Sequence, residues 1–173
     1  MNYQDETMDI VNMRDEVVGK ASQEAVYTNK HLHRIVHIMA KDPKGRFGIQ
    51  LRSVKKSYKP GHWATAACGH PQAGESYQTA GQRETLEELR QEVPLTNFRK
   101  LFYQDPERPG LERFLGAFEI TISEPVLFDT EEVQDFQFFT HDQLQQMIDN
   151  GALFHPELLF ILVNLYEFTQ RGA

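Results

Sequence analysis

Gly69-His70-Pro71-Gln72-Ala73-Gly74-Glu75, followed by Arg83-Glu84-Thr85-Leu86-Glu87-Glu88, reads as G-x5-E-x7-R-E-x-x-E-E. Ser76 suits a helix N-cap, because its hydroxyl accepts from the free N–H groups of a first turn. Ala80, Leu86, Leu89 and Val93 recur at helical spacing and give one apolar face. This predicts a helix from Ser76 to about Glu92, stopping before Pro94 because a proline restricts the residue ahead of it. On that helix Glu84 and Glu88 lie one above the other, with Glu87 beside them. Like charges so stacked repel by about 0.2–0.5 kcal/mol on a bare helix. A hard divalent cation relieves the repulsion: Mg²⁺ takes oxygen ligands and sits on a few carboxylates plus substrate phosphates. Glu84, Glu87 and Glu88 are therefore candidate ligands of Mg²⁺ or Mn²⁺. The alternative for an isolated E-x-x-E-E is a solvated acidic face.

The spacing of Gly69, Glu75, Arg83 and the three glutamates resembles the signature box of the Nudix hydrolases, which cleave a diphosphate linked to another moiety. The resemblance implies an α/β/α sandwich and adds the Gly69 carbonyl to the metal ligands. It makes Arg83 and Glu75 an ion pair that orients the box, a role for which the guanidinium fork suits a carboxylate. Two positions depart from the pattern. Arg90 stands where a Gly is expected and Gln91 where an apolar residue is usual. Gly at that point serves mainly as a C-cap, so the departure bears on the helix end and not on the carboxylates.

A second resemblance covers roughly residues 9–90. Trp63-Ala64-Thr65-Ala66-Ala67-Cys68-Gly69-His70-Pro71 is similar to the active-site segment of type I isopentenyl-diphosphate isomerases, which share the Nudix fold. Arg52, Lys56 and Pro60-Gly61-His62-Trp63 match their R-x3-K-x3-P-G-x-W pattern, which implies that Arg52 and Lys56 hold a diphosphate. On this resemblance Cys68 falls on the catalytic thiol, His33 and His70 on metal ligands, and Glu112 near a metal carboxylate. Other positions fail: the first ligand His aligns with Val26, the catalytic Glu with Phe114, and the ring that shields the cationic intermediate with Glu157. A ring face stabilises a cation without reacting with it; a carboxylate there would capture or quench it. The isomerases have also let the acidic box decay, whereas Glu84, Glu87 and Glu88 stand together here. The reading is therefore a Nudix hydrolase of the isomerase-like branch. It would be a metal-dependent enzyme cleaving a nucleoside di- or triphosphate or a related diphosphate compound. The alternatives are an isomerase with an altered site and a non-catalytic nucleotide-binding domain.

Several residues keep two readings. Glu131 or Glu132, in a loop before a strand, is either a general base alongside the box glutamates or solvated surface. His31, His33 and His37 share one side of a strand, so they are either metal-binding or hydrogen-bonded core and surface residues. Cys68 suits a small buried hydrophobe as well as a thiol acid, and Trp63 suits the core as well as a stack on a nucleobase.

With 173 residues, the chain is long enough for one domain with its own core. A formal charge of −7 argues against a nucleic-acid backbone as partner, while a small diphosphate can be neutralised locally by a metal and a few cations. One cysteine, Cys68, excludes an intrachain disulfide and fits a reducing compartment. The polar opening of the chain is unlike a secretory signal, and the apolar run at residues 158–163 is too short to span a bilayer. These features predict a cytoplasmic protein without membrane contact, and base rates for oligomers suggest a homodimer. The expected organisation is one Nudix domain over residues 1–173, with a hairpin and turn in 1–30 and the box at 69–91. Strands are expected at 9–12, 16–19, 31–40, 47–52, 63–68, 97–104, 111–122 and 133–139, with helices after Thr140 and from Pro156. This order gives an α+β fold with a mixed sheet.

Overall fold

The computed structural model describes residues 6–170; the polar opening of the chain at residues 1–5 lies outside them, as do residues 171–173. A hairpin of β1 (Thr7–Val11) and β2 (Val17–Ser22) forms a small sheet of its own, and the short helix α1 (Gln23–Thr28) follows, capped by Ser22. The main sheet runs β5-β4-β3-β8-β7, from β3 (His33–Lys41), β4 (Phe47–Arg52), β5 (Trp63–Ala64), β7 (Thr96–Gln104) and β8 (Glu112–Thr121). β6 (Ala67–Gly69) also pairs with β3, and β9 (Val133–Phe139) with β4. β3 and β8 are parallel and the other pairs antiparallel, so the sheet is mixed, as expected.

Helices cover both faces. α3 (His141–Asp149) and α4 (Pro156–Leu165) lie on one, over a core that includes Ile35, Met39, Ile49, Leu115, Leu144, Leu158 and Ile161. α2 (Tyr77–Leu89) lies on the other, over Ile38, Ala67, Leu89, Phe118 and Ile120. β3 therefore sits in the middle of the sandwich, and its Ile35, Val36, Ile38, Met39 and Ala40 are buried on both faces, as a strand with a parallel neighbour should be. Among the described residues no helix is long and apolar enough to cross a membrane.

Two local features differ from expectation. Residues 63–68 do not form one strand: β5 pairs with β4, and after Thr65 and Ala66 the chain transfers to β3 as β6. The transfer is held by the Thr65 hydroxyl donating to the Ala67 carbonyl at 3.2 Å and by the Ala66 amide donating to Ile38 at 2.8 Å. Helix α2 also stops at Leu89, short of Glu92, because Arg90 adopts the left-handed conformation (φ 55°, ψ 34°) and its amide returns to the Leu86 carbonyl. That is the C-cap geometry Gly favours, and a side chain there costs about 1–2 kcal/mol. The half-exposed Arg90–Asp129 pair at 2.9 Å offsets only part of this. Arg90→Gly is expected to stabilise the protein by about 0.5–1 kcal/mol, measured as a rise in the urea midpoint; a fall would show that the ion pair outweighs the backbone strain.

Candidate active site

β6 delivers Gly69, and α2 lies across it so that its Glu84 and Glu88 face the strand. A Cβ at Gly69 would overlap the Glu84 carboxylate, so only glycine lets that group approach the backbone so closely. Glu84 and Glu88 are 9% and 7% exposed, which for carboxylates demands partners. Glu88 has them on both oxygens: Gln50 Nε2 donates to Oε2 at 2.7 Å and the Cys68 amide to Oε1 at 3.2 Å. Glu84 Oε1 receives Arg83 Nη1 at 2.7 Å, and the same nitrogen reaches Glu87 Oε2 at 3.3 Å. The rest of the Arg83 fork clasps Glu75, Nε to Oε1 at 3.1 Å and Nη2 to Oε2 at 2.9 Å, and Nη2 also donates to the His70 carbonyl at 3.0 Å. Arg83 thus ties the loop after β6 to the acidic face of α2.

Burial pushes the Glu84 carboxyl up against the pull of Arg83, and burial together with the charge on Glu84 pushes Glu88 up. Burial acts on Glu75 too, but the Arg83 fork and the Gln72 amide outweigh it and hold that carboxyl below its ordinary value. Among the described residues no three carboxylates, imidazoles or thiols already form a closed metal group, since Arg83 stands between Glu84 and Glu87. The donor set still fits a divalent cation. It is all oxygen, two of its members are buried with their carboxyls pushed up by burial, and the missing side chain of Gly69 lets the Glu84 carboxylate lie against the backbone.

Arg52 ends β4 on the same face as Gln50, and its guanidinium is held by the Tyr58 carbonyl at 3.0 Å. Lys56 pairs with Glu132, and its charge is felt at Glu88. Glu131 pairs with Lys55 at 2.7 Å. The basic loop and the Glu131–Glu132 loop are thus joined beside the acidic group. Trp63 packs edge-on to Phe139 at 5.3 Å, with its backbone bonded to Leu153 and His155, so it anchors the approach to α4.

The isomerase-like residues gather in part. His33 and His70 lie 5.8 Å apart, and the Tyr27 hydroxyl meets His70 Nε2 at 2.8 Å. Burial lowers His33 to about 4, and burial with the neighbouring His33 lowers His70 to about 3, so both rings are neutral. Cys68 faces His37 across the β3–β6 ladder, and burial, then Glu88, pushes its thiol up to about 12. It keeps its proton at neutral pH. Glu112 is not brought to this group; its side chain accepts from Gln104 at 3.0 Å on the exposed side of β7. His31 contributes only its carbonyl, to His33 Nδ1 at 2.8 Å.

Sequence reasoning did not assign a role to the residues that fill the α4 side. Glu157 pairs with Arg113, lies 3.1 Å from His37 Nε2 (too poorly aligned for a hydrogen bond) and 3.7 Å from His155 Nδ1. Arg113 also donates to Asp105 at 2.9 Å. A charged residue leading directly into an apolar strand run, as Arg113 does in Glu112-Arg113-Phe114-Leu115, was the available signal. Gln50 was legible by the alternation of β4, which puts it on the face of Arg52.

Comparison with known proteins returns one family. The NUDIX domain model matches residues 31–160. A protein named Nudix hydrolase from Deinococcus radiodurans is 28% identical over 162 residues, covering 94% of this chain and 95% of its own. Isopentenyl-diphosphate Delta-isomerase 2 of Photorhabdus laumondii is 28% identical over 153 residues, covering 85% and 84%. Among solved structures, a Deinococcus radiodurans crystal structure superposes with a TM-score of 0.77 at 27% identity, covering 93% of this chain and 99% of that one.

Proposed function

The chain belongs to the Nudix family, and we propose that it is a Mg²⁺- or Mn²⁺-dependent hydrolase that cleaves the diphosphate bond of a nucleoside di- or triphosphate or a related nucleoside-diphosphate compound. The observation that carries this reading is the orientation of Glu84 and Glu88, buried against the Gly69 backbone with each carboxylate aimed by its own donors. Glu84, Glu87, Glu88 and the Gly69 carbonyl would hold the cation. When bound, the cation polarises a phosphoryl oxygen and makes its bound water more acidic.

The chain's own residues do the rest. Arg83 holds Glu84 and Glu87 in register with the Gly69 loop through its fork on Glu75. Gln50 and the Cys68 amide fix the plane of the Glu88 carboxylate. Arg52 and Lys56 offer positive charge to the diphosphate, with Arg52 pre-set by Tyr58.

Isomerisation fits the same residues less well. Cys68 holds its proton tightly enough to be a poor acid, and Glu157 with its Arg113 partner fills the position where that reaction needs a ring. The isomerases among the relatives show shared ancestry of the fold. The test is release of phosphate or pyrophosphate from a panel of nucleoside diphosphate compounds with Mg²⁺ and then Mn²⁺. Release that stops on chelation is expected. No release from any compound with either ion, alongside conversion of isopentenyl diphosphate, would replace hydrolysis by isomerisation.

A further inference from the structure

The basic loop between β4 and β5 starts at Arg52, and its shape is set from outside. The Arg52 guanidinium donates to the Tyr58 carbonyl, from Nη2 at 3.0 Å and from Nε at 3.3 Å. The place of Tyr58 therefore decides where that cation points. Tyr58 in turn is gripped by its ring. The Arg108 guanidinium lies over it, 4.2 Å from the ring centroid, and the His155 ring meets it edge-on at 5.4 Å. A guanidinium so placed is attracted by the negative face of the ring. The next residue, Lys59, takes the left-handed conformation (φ 51°), which a residue other than glycine keeps only where its surroundings hold it. Its ammonium pairs with Glu107 at 2.7 Å.

Both grips come from one short loop, between β7 and β8. Asp105, buried, organises that loop. Its Oδ1 accepts the Glu107 amide at 3.0 Å and the Arg108 amide at 3.2 Å. Its Oδ2 accepts Arg108 Nε at 2.8 Å and Arg113 Nη2 at 2.9 Å. Arg113 belongs to β8, so Arg108 is fixed to the sheet at one edge and meets the basic loop with its face.

The other end of this series of contacts is the acidic group. Cys68, whose amide donates to Glu88, feels the charge of Arg52, as Glu88 feels that of Lys56. A long cationic side chain loses rotamer freedom when a ligand orders it, and holding it in the bound direction beforehand converts that cost into affinity.

We propose that Arg108 is a positioning residue for the diphosphate: lying on Tyr58, it fixes the carbonyl that aims Arg52, while Glu107 holds the same loop through Lys59. This rests on the hydrolase reading above, in which Arg52 and Lys56 hold the diphosphate. Arg108 acts through the loop and does not itself touch the substrate.

The test is a double-mutant cycle read in affinity. Dissociation constants are measured by calorimetry with Mg²⁺ for a panel of α,β-methylene nucleoside 5′-diphosphates, whose bridge resists hydrolysis. Arg108→Ala should weaken the best of them about tenfold, the scale of one hydrogen bond to a charged group. Tyr58→Leu keeps every charge and removes the ring, and it should weaken the same ligand to a similar extent; it also serves where Arg108→Ala fails to fold. In an Arg52→Ala background, Arg108→Ala should cost no further affinity. Undiminished affinity in Arg108→Ala or in Tyr58→Leu overturns the proposal. So does the same further loss in the Arg52→Ala background, which would show a direct effect of the Arg108 charge. A wild type that binds no member of the panel overturns it as well. The expected pattern in a protein that releases no phosphate from the hydrolysable counterparts overturns the hydrolase reading alone; release of phosphate with Arg108→Ala at full affinity overturns this one alone.

Discussion

Glu88→Gln is expected to lower kcat on the best substrate on the order of a thousandfold, the scale of losing one preorganised electrostatic group at a reacting centre, while the fold stays intact. Glutamine has the same shape. Its carbonyl oxygen can still accept the Cys68 amide that now meets Glu88 at 3.2 Å, and only the bond from Gln50 at 2.7 Å has to rearrange. Stability should hold or rise, because the substitution removes a buried carboxylate that burial and Glu84 already disfavour as an anion. What it takes away is the carboxylate that the proposed cation would need, and no neighbour can supply it: Glu87 lies at the exposed edge, and Glu84 is committed to Arg83. Kinetics and urea unfolding on the same preparation check both halves. Near-normal kcat in a folded variant would remove Glu88 from the chemistry and with it the reading of the box as the active site.

The acidic box was legible in the sequence because its geometry is local. Ser76 caps the helix as expected, its hydroxyl accepting the Thr79 amide at 3.1 Å, and i, i+4 spacing alone stacks Glu84 on Glu88. The Arg83–Glu75 pair was legible for the same reason, lying within one loop and the first two turns of α2. The mixed sandwich followed from the alternation of strand and helix patterns, and the ends of β4 and β9 fall where the sequence reading puts them. The break between β5 and β6 was not legible, since Trp63-Ala64-Thr65-Ala66-Ala67-Cys68 carries no Gly or Pro; the change of partner is imposed by β3 and β4 competing for the same segment. Nor was the early stop of α2, because Arg90 gives no sign of a left-handed conformation and Val93 continues the apolar periodicity. The α4-side polar cluster needs residues 37, 105, 113, 155 and 157, which only the completed sheet and α4 bring together.

That cluster makes the second large prediction. Glu157→Leu is expected to destabilise the protein by about 3–5 kcal/mol, the cost of leaving a buried charge without its partner, out of a total stability on the order of 5–15 kcal/mol. Glu157 sits in the first turn of α4, behind its N-cap His155, where the helix dipole favours an anion. Burial alone would raise its carboxyl. His37 first, then Arg113 and His155, reverse that and hold it well below the ordinary carboxylate range, so it is charged throughout the neutral region. Removing it strands the Arg113 guanidinium, whose remaining anionic partner is Asp105, itself shared with Arg108. Pairing the change with Arg113→Met should recover much of the loss, because two apolar side chains of similar volume replace a buried ion pair at little net cost. Recovery in the double variant separates a stranded charge from a simple packing defect, which would add to the Arg113 change instead of cancelling it. A Glu157→Leu protein within about 1 kcal/mol of wild type in urea titration would show that the pair contributes no more than an exposed one does.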